Sequence, residues 1–218
     1  MAVELYDEHE QGERVRKWLR ENGFSIAMGI ALALAAIFGW RQWQDYQSGQ
    51  ALLANEYYAA IQRELDAGQL EIAASQYAEM RDAVDQHGYV ALAGMLVAAG
   101  HVEADDIEAA ASIYRTLLES GQWEALKPLI RFRLAGLEGS NGEHEQALAR
   151  LEGDPPEGYA GLWLELRGDL LFDLGRLEQA AEAYALAVDQ LRGEGGNFRP
   201  VETKLTAVRS AARIVETS

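Results

Sequence analysis

Two patterns of apolar residues divide the chain. Between Asn22 and Trp40 no charged side chain occurs, and the run FSIAMGIALALAAIFGW is apolar or small throughout. After Arg41 the apolar residues instead recur at the spacing of an amphipathic helix, and no alternating strand pattern stands out. The first pattern predicts a membrane-spanning helix, since at ~1.5 Å per residue such a run just crosses a hydrocarbon core of ~30 Å. Arg20 and Glu21 bound it on one side and Arg41 on the other. Trp18 and Phe24, then Trp40, Trp43 and Tyr46, stand where interfacial aromatic belts belong, so the span is placed at residues 22–43.

A cleavable signal peptide would end in a small-x-small site before a polar stretch, whereas this core ends in Phe38, Gly39, Trp40 and Arg41. A buried helix of a soluble domain would be amphipathic, and this one is apolar all round. Arg14, Arg16, Lys17 and Arg20 crowd the N-terminal side, while Arg41 is the one basic residue in the twenty that follow the run. The positive-inside rule therefore puts the N-terminus in the cytoplasm and the remainder outside. Ser25, Gly29 and Ala33 fall four apart, as do Ala31, Ala35 and Gly39, a spacing that permits close contact with another membrane helix. From Arg41 to Ala54 the only helix breaker is Gly49, so the membrane helix is expected to run on into the next element and hold the following domain near the bilayer.

The second pattern is repetitive. Breaks at Ala67-Gly68, Ala104-Asp105-Asp106, Ser140-Asn141-Gly142 and Leu174-Gly175 are each followed by a similar helix opening. The clearest copy is LWLELRGDLLFDLGRLEQAAEAYALAV, from Leu162 to Val188. Here Gly168 lies midway along a first helix, Gly175 and Arg176 turn the chain, and Ala180, Tyr184 and Ala187 share a face of the second. Two antiparallel helices pack closely where small residues meet, so Gly168 and Ala180 supply the gap and Tyr184 fills space towards the next pair. This unit resembles the tetratricopeptide repeat. The template fits again at Ala98, Asp105, Ile107, Ala110 and Tyr114, then at Ala135, Gly142, Ala147 and Leu151. A degenerate first copy runs through Ile61, Gly68, Leu70, Ala73 and Tyr77. The turn residues Gly68, Asp105, Gly142 and Gly175 are 37, 37 and 33 residues apart. A Gly/Pro loop from Gly193 to Pro200 precedes a last amphipathic helix, Val201 to about Val215, which would cap the apolar end of the solenoid. The expected fold class is thus all-α, a single N-terminal transmembrane helix followed by a tetratricopeptide-repeat-like α-solenoid.

Charge narrows the partners. The chain has 218 residues and a formal net charge of -16, with 15 Lys/Arg against 29 Asp/Glu from Arg41 onward. No basic stripe is available to replace phosphate counterions, so nucleic acid is excluded as a partner. The absence of cysteine excludes disulfides, thiolate metal sites and cysteine nucleophiles. His9, His87, His101 and His144 are isolated, and none pairs with another at a metal-ligand spacing. His101 and Glu103 are two residues apart, on different faces of a helix. Gly193, Gly195 and Gly196 lack a preceding strand and a following Lys-Ser/Thr, so they read as a loop rather than a phosphate cradle. Asp105-Asp106 reads as a helix cap and Asp7-Glu8 as a solvated tail. No catalytic residue, cofactor site or metal site is expected.

What remains is a surface for binding protein. In tetratricopeptide solenoids the first helices of successive pairs line a groove. Register places Leu92 and Met95, Leu129 and Phe132, and Leu162, Glu165, Asp169 and Phe172 along it. Apolar and acidic residues alternate there, which suits an extended or helical segment of neutral or basic character. The same apolar residues would equally serve as packing against the neighbouring helix.

The order of parts is more specific. Glu4-Leu5-Tyr6, Val15-Arg16-Lys17-Trp18-Leu19 and Glu21-Asn22-Gly23 lead into the apolar run, which leaves through Gly39-Trp40-Arg41-Gln42-Trp43 ahead of the divergent repeats. Over essentially its whole length the chain resembles the YfgM-type ancillary subunits of the bacterial Sec translocon. The resemblance implies a Gram-negative inner-membrane protein with a cytoplasmic arm at 1–21, a transmembrane helix at 22–43 and a periplasmic tetratricopeptide-repeat-like domain at 44–218 with a C-terminal capping helix. It implies association with SecYEG and with a PpiD-like periplasmic chaperone, and a part in passing secretory protein clients from the channel to periplasmic chaperones. It brings no catalytic residues. Two other readings fit the same sequence, an envelope assembly scaffold and a signalling protein whose arm engages a regulator.

Overall fold

The computed structural model describes residues 4–84 and 88–216, with side chains described from Gly12 to Ile214. His87 lies outside the described residues, as do the side chains of Asp7, Glu8 and His9. The described residues form nine helices: α1 Glu4–Asp66, α2 Leu70–Ala83, α3 Gly88–Glu103, α4 Ile107–Glu119, α5 Lys127–Ser140, α6 His144–Arg150, α7 Ala160–Asp173, α8 Leu177–Gly193 and α9 Arg199–Glu216. Contacts group the chain into two units, residues 1–52 and 53–218. In the first, α1 is exposed along the described residues, apart from partly covered positions such as Asn22 and Gly23. The helix continues unbroken through Gly49, as the lack of a stronger breaker led one to expect.

In the second unit the four expected turns are built alike. Gly68, Asp105, Gly142 and Gly175 all adopt left-handed backbone, with φ of 73°, 63°, 83° and 71°. In each, the following amide reaches five residues back: Gln69 to Glu64 O, Asp106 to His101 O, Glu143 to Glu138 O and Arg176 to Leu171 O, at 2.8–2.9 Å. This is the helix-ending motif in which one left-handed residue frees the next amide to satisfy an orphan carbonyl. At the second turn an Asp takes the place of Gly. Its neighbour Asp106 caps α4 by accepting from the Ala109 amide at 3.2 Å, the helix-cap role read from the sequence.

The core is a chain of four overlapping clusters, each joining one helix pair to the next helix. Ala54 and Ile61 of α1 meet Ala73, Tyr77 and Met80 of α2 and Val90, Ala93 and Val97 of α3. Ala98, Ala110, Tyr114 and Leu134 join α3, α4 and α5. Ala135, Ala147, Trp163 and Leu170 join α5, α6 and α7. Leu171, Ala180, Tyr184 and Ala187 of α7 and α8 are covered by Val201, Leu205 and Val208 of α9. The last helix therefore occupies the place of a further repeat, and it starts at Arg199, so the preceding loop is only residues 194–198.

The space beside Gly168 is filled by Tyr184 of its own pair. A methyl at Gly168 would lie 2.6 Å from the Tyr184 ring, which also has Lys204 Nζ of α9 5.9 Å from its centroid. Tyr184 is buried, and its hydroxyl donates to Asp169 at 2.6 Å, so shifting the ring would disturb both its packing and that hydrogen bond. Gly168→Ala should therefore lower stability, because overpacking of about 1–3 kcal/mol exceeds the helix-propensity gain of roughly 1 kcal/mol. A urea titration of the full chain in mild detergent checks the sign.

The third pair is the irregular one. Its second helix, α6, has only 7 residues. Gly153, with φ 95°, and Pro155-Pro156 follow it and stop it from continuing. Its C-terminal carbonyls are satisfied from outside. Arg131 donates to Arg150 O at 2.8 Å and Glu152 O at 2.9 Å, and Trp163 Nε1 donates to Leu151 O at 3.2 Å. Glu138, 2% exposed, accepts from Gln146 at 2.7 Å and from Arg150 at 3.1–3.3 Å.

Candidate functional site

Each unit presents one surface without an internal partner among the described residues. On α1, Phe24, Ile30, Leu32, Phe38, Trp40 and Trp43 are all more than half exposed, a density of exposed apolar side chains that marks a membrane or protein contact. This helix is long and apolar enough to cross a membrane. Ser25, Gly29 and Ala33 lie exposed along it, and a Cβ added at Gly29 or Gly39 would meet no neighbouring group within 4 Å.

In the second unit, the first helices of successive pairs hold the residues read as a groove. Leu92, Leu129 and Leu162 take equivalent positions on α3, α5 and α7, as do Met95, Phe132 and Glu165. Leu92, Leu162 and Phe172 are exposed, whereas Met95, Leu129 and Phe132 are half-buried. Phe132 owes its burial to Trp163, whose ring it stacks on at 6.3 Å between centroids and 22° between planes. Beside Phe132 opens a cavity of about 390 Å³, walled by Ala99 and Val102 of α3, Tyr114 of α4, Gly136 of α5 and Leu166 of α7. Glu103 and Arg133 are the charged groups on its wall. The mixed apolar wall with two opposite charges is suited to holding a large apolar side chain of a polypeptide.

Glu165 and Asp169 are not free for a partner. Lys204 of α9 sits 2.8 Å from a carboxylate oxygen of each. The acidic contribution to the groove is thus used inside the fold, to fix the capping helix against α7. Sequence register found Phe132 but missed Val102, Gly136 and Leu166. Val102 occupies in α3 the position that Phe172 holds in α7, so the register carried the signal. Lys204 is 35 and 39 residues from its partners, and nothing local announces it.

The electrostatics of this cluster follow from its packing. Burial, the hydrogen bond to Asp169 and the surrounding carboxylates push the Tyr184 phenol well above its ordinary value. Burial alone would lower the Lys204 ammonium, but its bonds to Asp169 and Glu165 outweigh this and hold it above 10.5. Both groups bind their proton more tightly when folded. Their contribution is complete below the unfolded values, 10.0 for tyrosine and 10.5 for lysine, and is lost as pH rises through the folded ones. The melting temperature should therefore fall progressively as pH rises above about 10, and Tyr184→Phe should remove the phenol's share of that fall.

Elsewhere, His101 Nδ1 lies 3.3 Å from Asp106 Oδ2, and His144 Nδ1 lies 3.9 Å from Asp173 Oδ2. Among the described residues no group of three His, Cys, Asp or Glu side chains could hold a metal ion.

The family described as a tetratricopeptide repeat-like domain matches residues 16–210. The Ancillary SecYEG translocon subunit of Escherichia coli (strain K12) is 30% identical over 187 residues, 85% of this chain and 90% of that protein. The protein of the same name from Haemophilus influenzae is 26% identical over 78% of this chain and 82% of its own length. A solved structure titled "MamA RS-1 ArsTM double mutant" superposes with a TM-score of 0.53 at 16% identity, covering 76% of this chain and 98% of that one, a likeness of fold alone. With a repeat-like match over most of its length and two relatives of one description matched over most of theirs, the chain belongs to the family of the ancillary SecYEG translocon subunits.

Proposed function

We propose that the chain is a non-enzymatic, membrane-anchored adaptor of the SecYEG translocon. On this reading α1 crosses the inner membrane with the N-terminus in the cytoplasm, and the repeats in the periplasm bind protein. The observation that carries the reading is the 30% identity to the Escherichia coli subunit over 85% of this chain and 90% of that one. The exposed apolar face of α1 supports membrane insertion, and the clustering of Arg14, Arg16, Lys17 and Arg20 supports the orientation.

The finer role is the passing of secretory proteins from the channel to periplasmic chaperones, one of them a PpiD-like chaperone. The groove of Leu92, Met95, Leu129, Phe132, Leu162 and Phe172 would hold the partner's apolar side chains. Ser25, Gly29 and Ala33 would face a helix of the translocon or of the chaperone.

Co-purification after gentle solubilisation tests the reading. Translocon and chaperone subunits should accompany the full chain, and their absence from every preparation would sink it. Exchanging residues 22–43 for an unrelated membrane helix should cost the translocon contact, whereas an envelope scaffold would keep its partners. Leu92→Asp with Leu162→Asp changes two exposed residues, so the domain should fold. This pair should lose the periplasmic partner and keep the channel.

A further inference from the structure

Residues 12–21 of α1 are helical and exposed, and the repeat groove does not account for them. Val15, Trp18 and Leu19 are 61%, 55% and 56% exposed. At 3.6 residues per turn they fall within an arc of about 100°, one continuous apolar stripe. Arg14 and Arg16 border that stripe on either side. Lys17 and Arg20 occupy the opposite side together with Glu13 and Glu21, leaving residues 12–21 with two more positive than negative charges. From Arg41 onward the chain is strongly acidic, so this is where positive charge gathers next to the apolar span.

We infer that this segment is a binding site for anionic phospholipid headgroups, Lys17 and Arg20 meeting the phosphates, Arg14 and Arg16 adding to the attraction from just outside the headgroup layer, and Trp18 and Leu19 lying nearest the acyl boundary. The inference rests on the anchored reading of α1 given above. Distance along the helix favours lipid over a protein partner. Counting ~1.5 Å per residue from Asn22, Arg20 lies about 3 Å beyond the span, Lys17 about 8 Å, Arg16 about 9 Å and Arg14 about 12 Å. The headgroup layer is roughly 5–8 Å thick on each side of the hydrocarbon, so two of the four reach it with the helix upright. The other two lie within about one screening length of it. The acidic residues Glu4, Asp7, Glu8 and Glu10 begin about 18 Å away, where screening removes most of their repulsion. A Trp at this depth and basic residues next to a span are the residue types drawn to a membrane interface and to anionic lipid.

The test uses the full chain purified in mild detergent and offered equal amounts of phosphatidylglycerol and phosphatidylethanolamine, with retained lipid read by native mass spectrometry. The wild-type chain should retain phosphatidylglycerol preferentially. Each basic side chain near an anionic surface is worth about fivefold in affinity, so Arg14→Gln, Arg16→Gln, Lys17→Gln and Arg20→Gln together should cut that retention at least about tenfold. Arg14→Lys, Arg16→Lys and Arg20→Lys keep the charge and should keep the preference. Equal retention of both lipids by the wild-type chain would overturn the inference, as would an unchanged preference in the glutamine variant. So would a glutamine variant that loses a co-purified protein while no lipid preference exists, which would assign the stripe to a protein. A wild-type chain released from vesicles by alkaline carbonate overturns the anchored reading and this site with it. A chain that stays integrated and shows no preference overturns the site alone.

Discussion

Trp163→Ala should cost the repeat domain about 3–5 kcal/mol, the usual range for a large aromatic truncated in a core. Trp163 is 1% exposed and sits among Ala135, Ala147, Leu151 and Leu170, where α5, α6 and α7 meet. Three further interactions go with the ring. Its Nε1–H donates to Leu151 O at 3.2 Å, Phe132 stacks on it, and the Arg131 guanidinium lies 5.4 Å from its centroid. Arg131 in turn holds two carbonyls at the end of α6, so losing the ring loosens the helix whose short length makes it most dependent on neighbours. Trp163→Phe keeps most of the apolar contact but leaves Leu151 O without this donor, and should cost about 1–3 kcal/mol. Urea titrations monitored by circular dichroism rank the two variants. Because repeats interact mainly with their neighbours, hydrogen exchange should accelerate first in α6, with α2 least affected.

The parts of the fold that were legible in the sequence are those written in local chemistry. Gly68, Gly142 and Gly175 mark turns because the left-handed conformation they adopt is costly with a Cβ, and Asp105 is tolerated there as one of the few other residues that visit it. Asn22 to Trp40 is legible because a long uncharged run has few alternatives. The small residues Ala73, Ala110, Ala147 and Ala180 recur at one register and are all fully buried. The candidate groove was legible only in part. Leu92 and Leu162 are exposed, whereas Phe132 lies against Trp163, and Glu165 and Asp169 are engaged by Lys204. These contacts depend on the angle between successive pairs and on where α9 ends up. No periodicity encodes either. The same holds for the irregular α6, whose capping by Arg131 and Trp163 spans loops of a length that register ignores.

Glu138→Ala should be the other large loss, because it breaks a buried ion pair from its more buried side. Removing one partner of such a pair costs about 3–5 kcal/mol when the survivor stays buried. Here the survivor is Arg150, whose side chain is 33% exposed, so water recovers part of its solvation and the loss should fall at the lower end. Gln146 loses its acceptor as well. Replacing both charges, Glu138→Leu with Arg150→Leu, removes the uncompensated charge and should be much milder than Glu138→Ala alone, since apolar substitutes for buried pairs are often neutral. That contrast separates the value of the pair from the cost of orphaning it. Glu138 holds α6 by its side chains, while Arg131 and Trp163 hold the same helix by its final carbonyls. Two fastenings on one 7-residue helix cannot fail independently. Combining Glu138→Ala with Trp163→Ala should therefore cost less than the sum of the singles, by about 0.5–3 kcal/mol in a double-mutant cycle. Strict additivity would mean that α6 stays folded against its neighbours when either fastening is lost, and that the two clusters act as separate units.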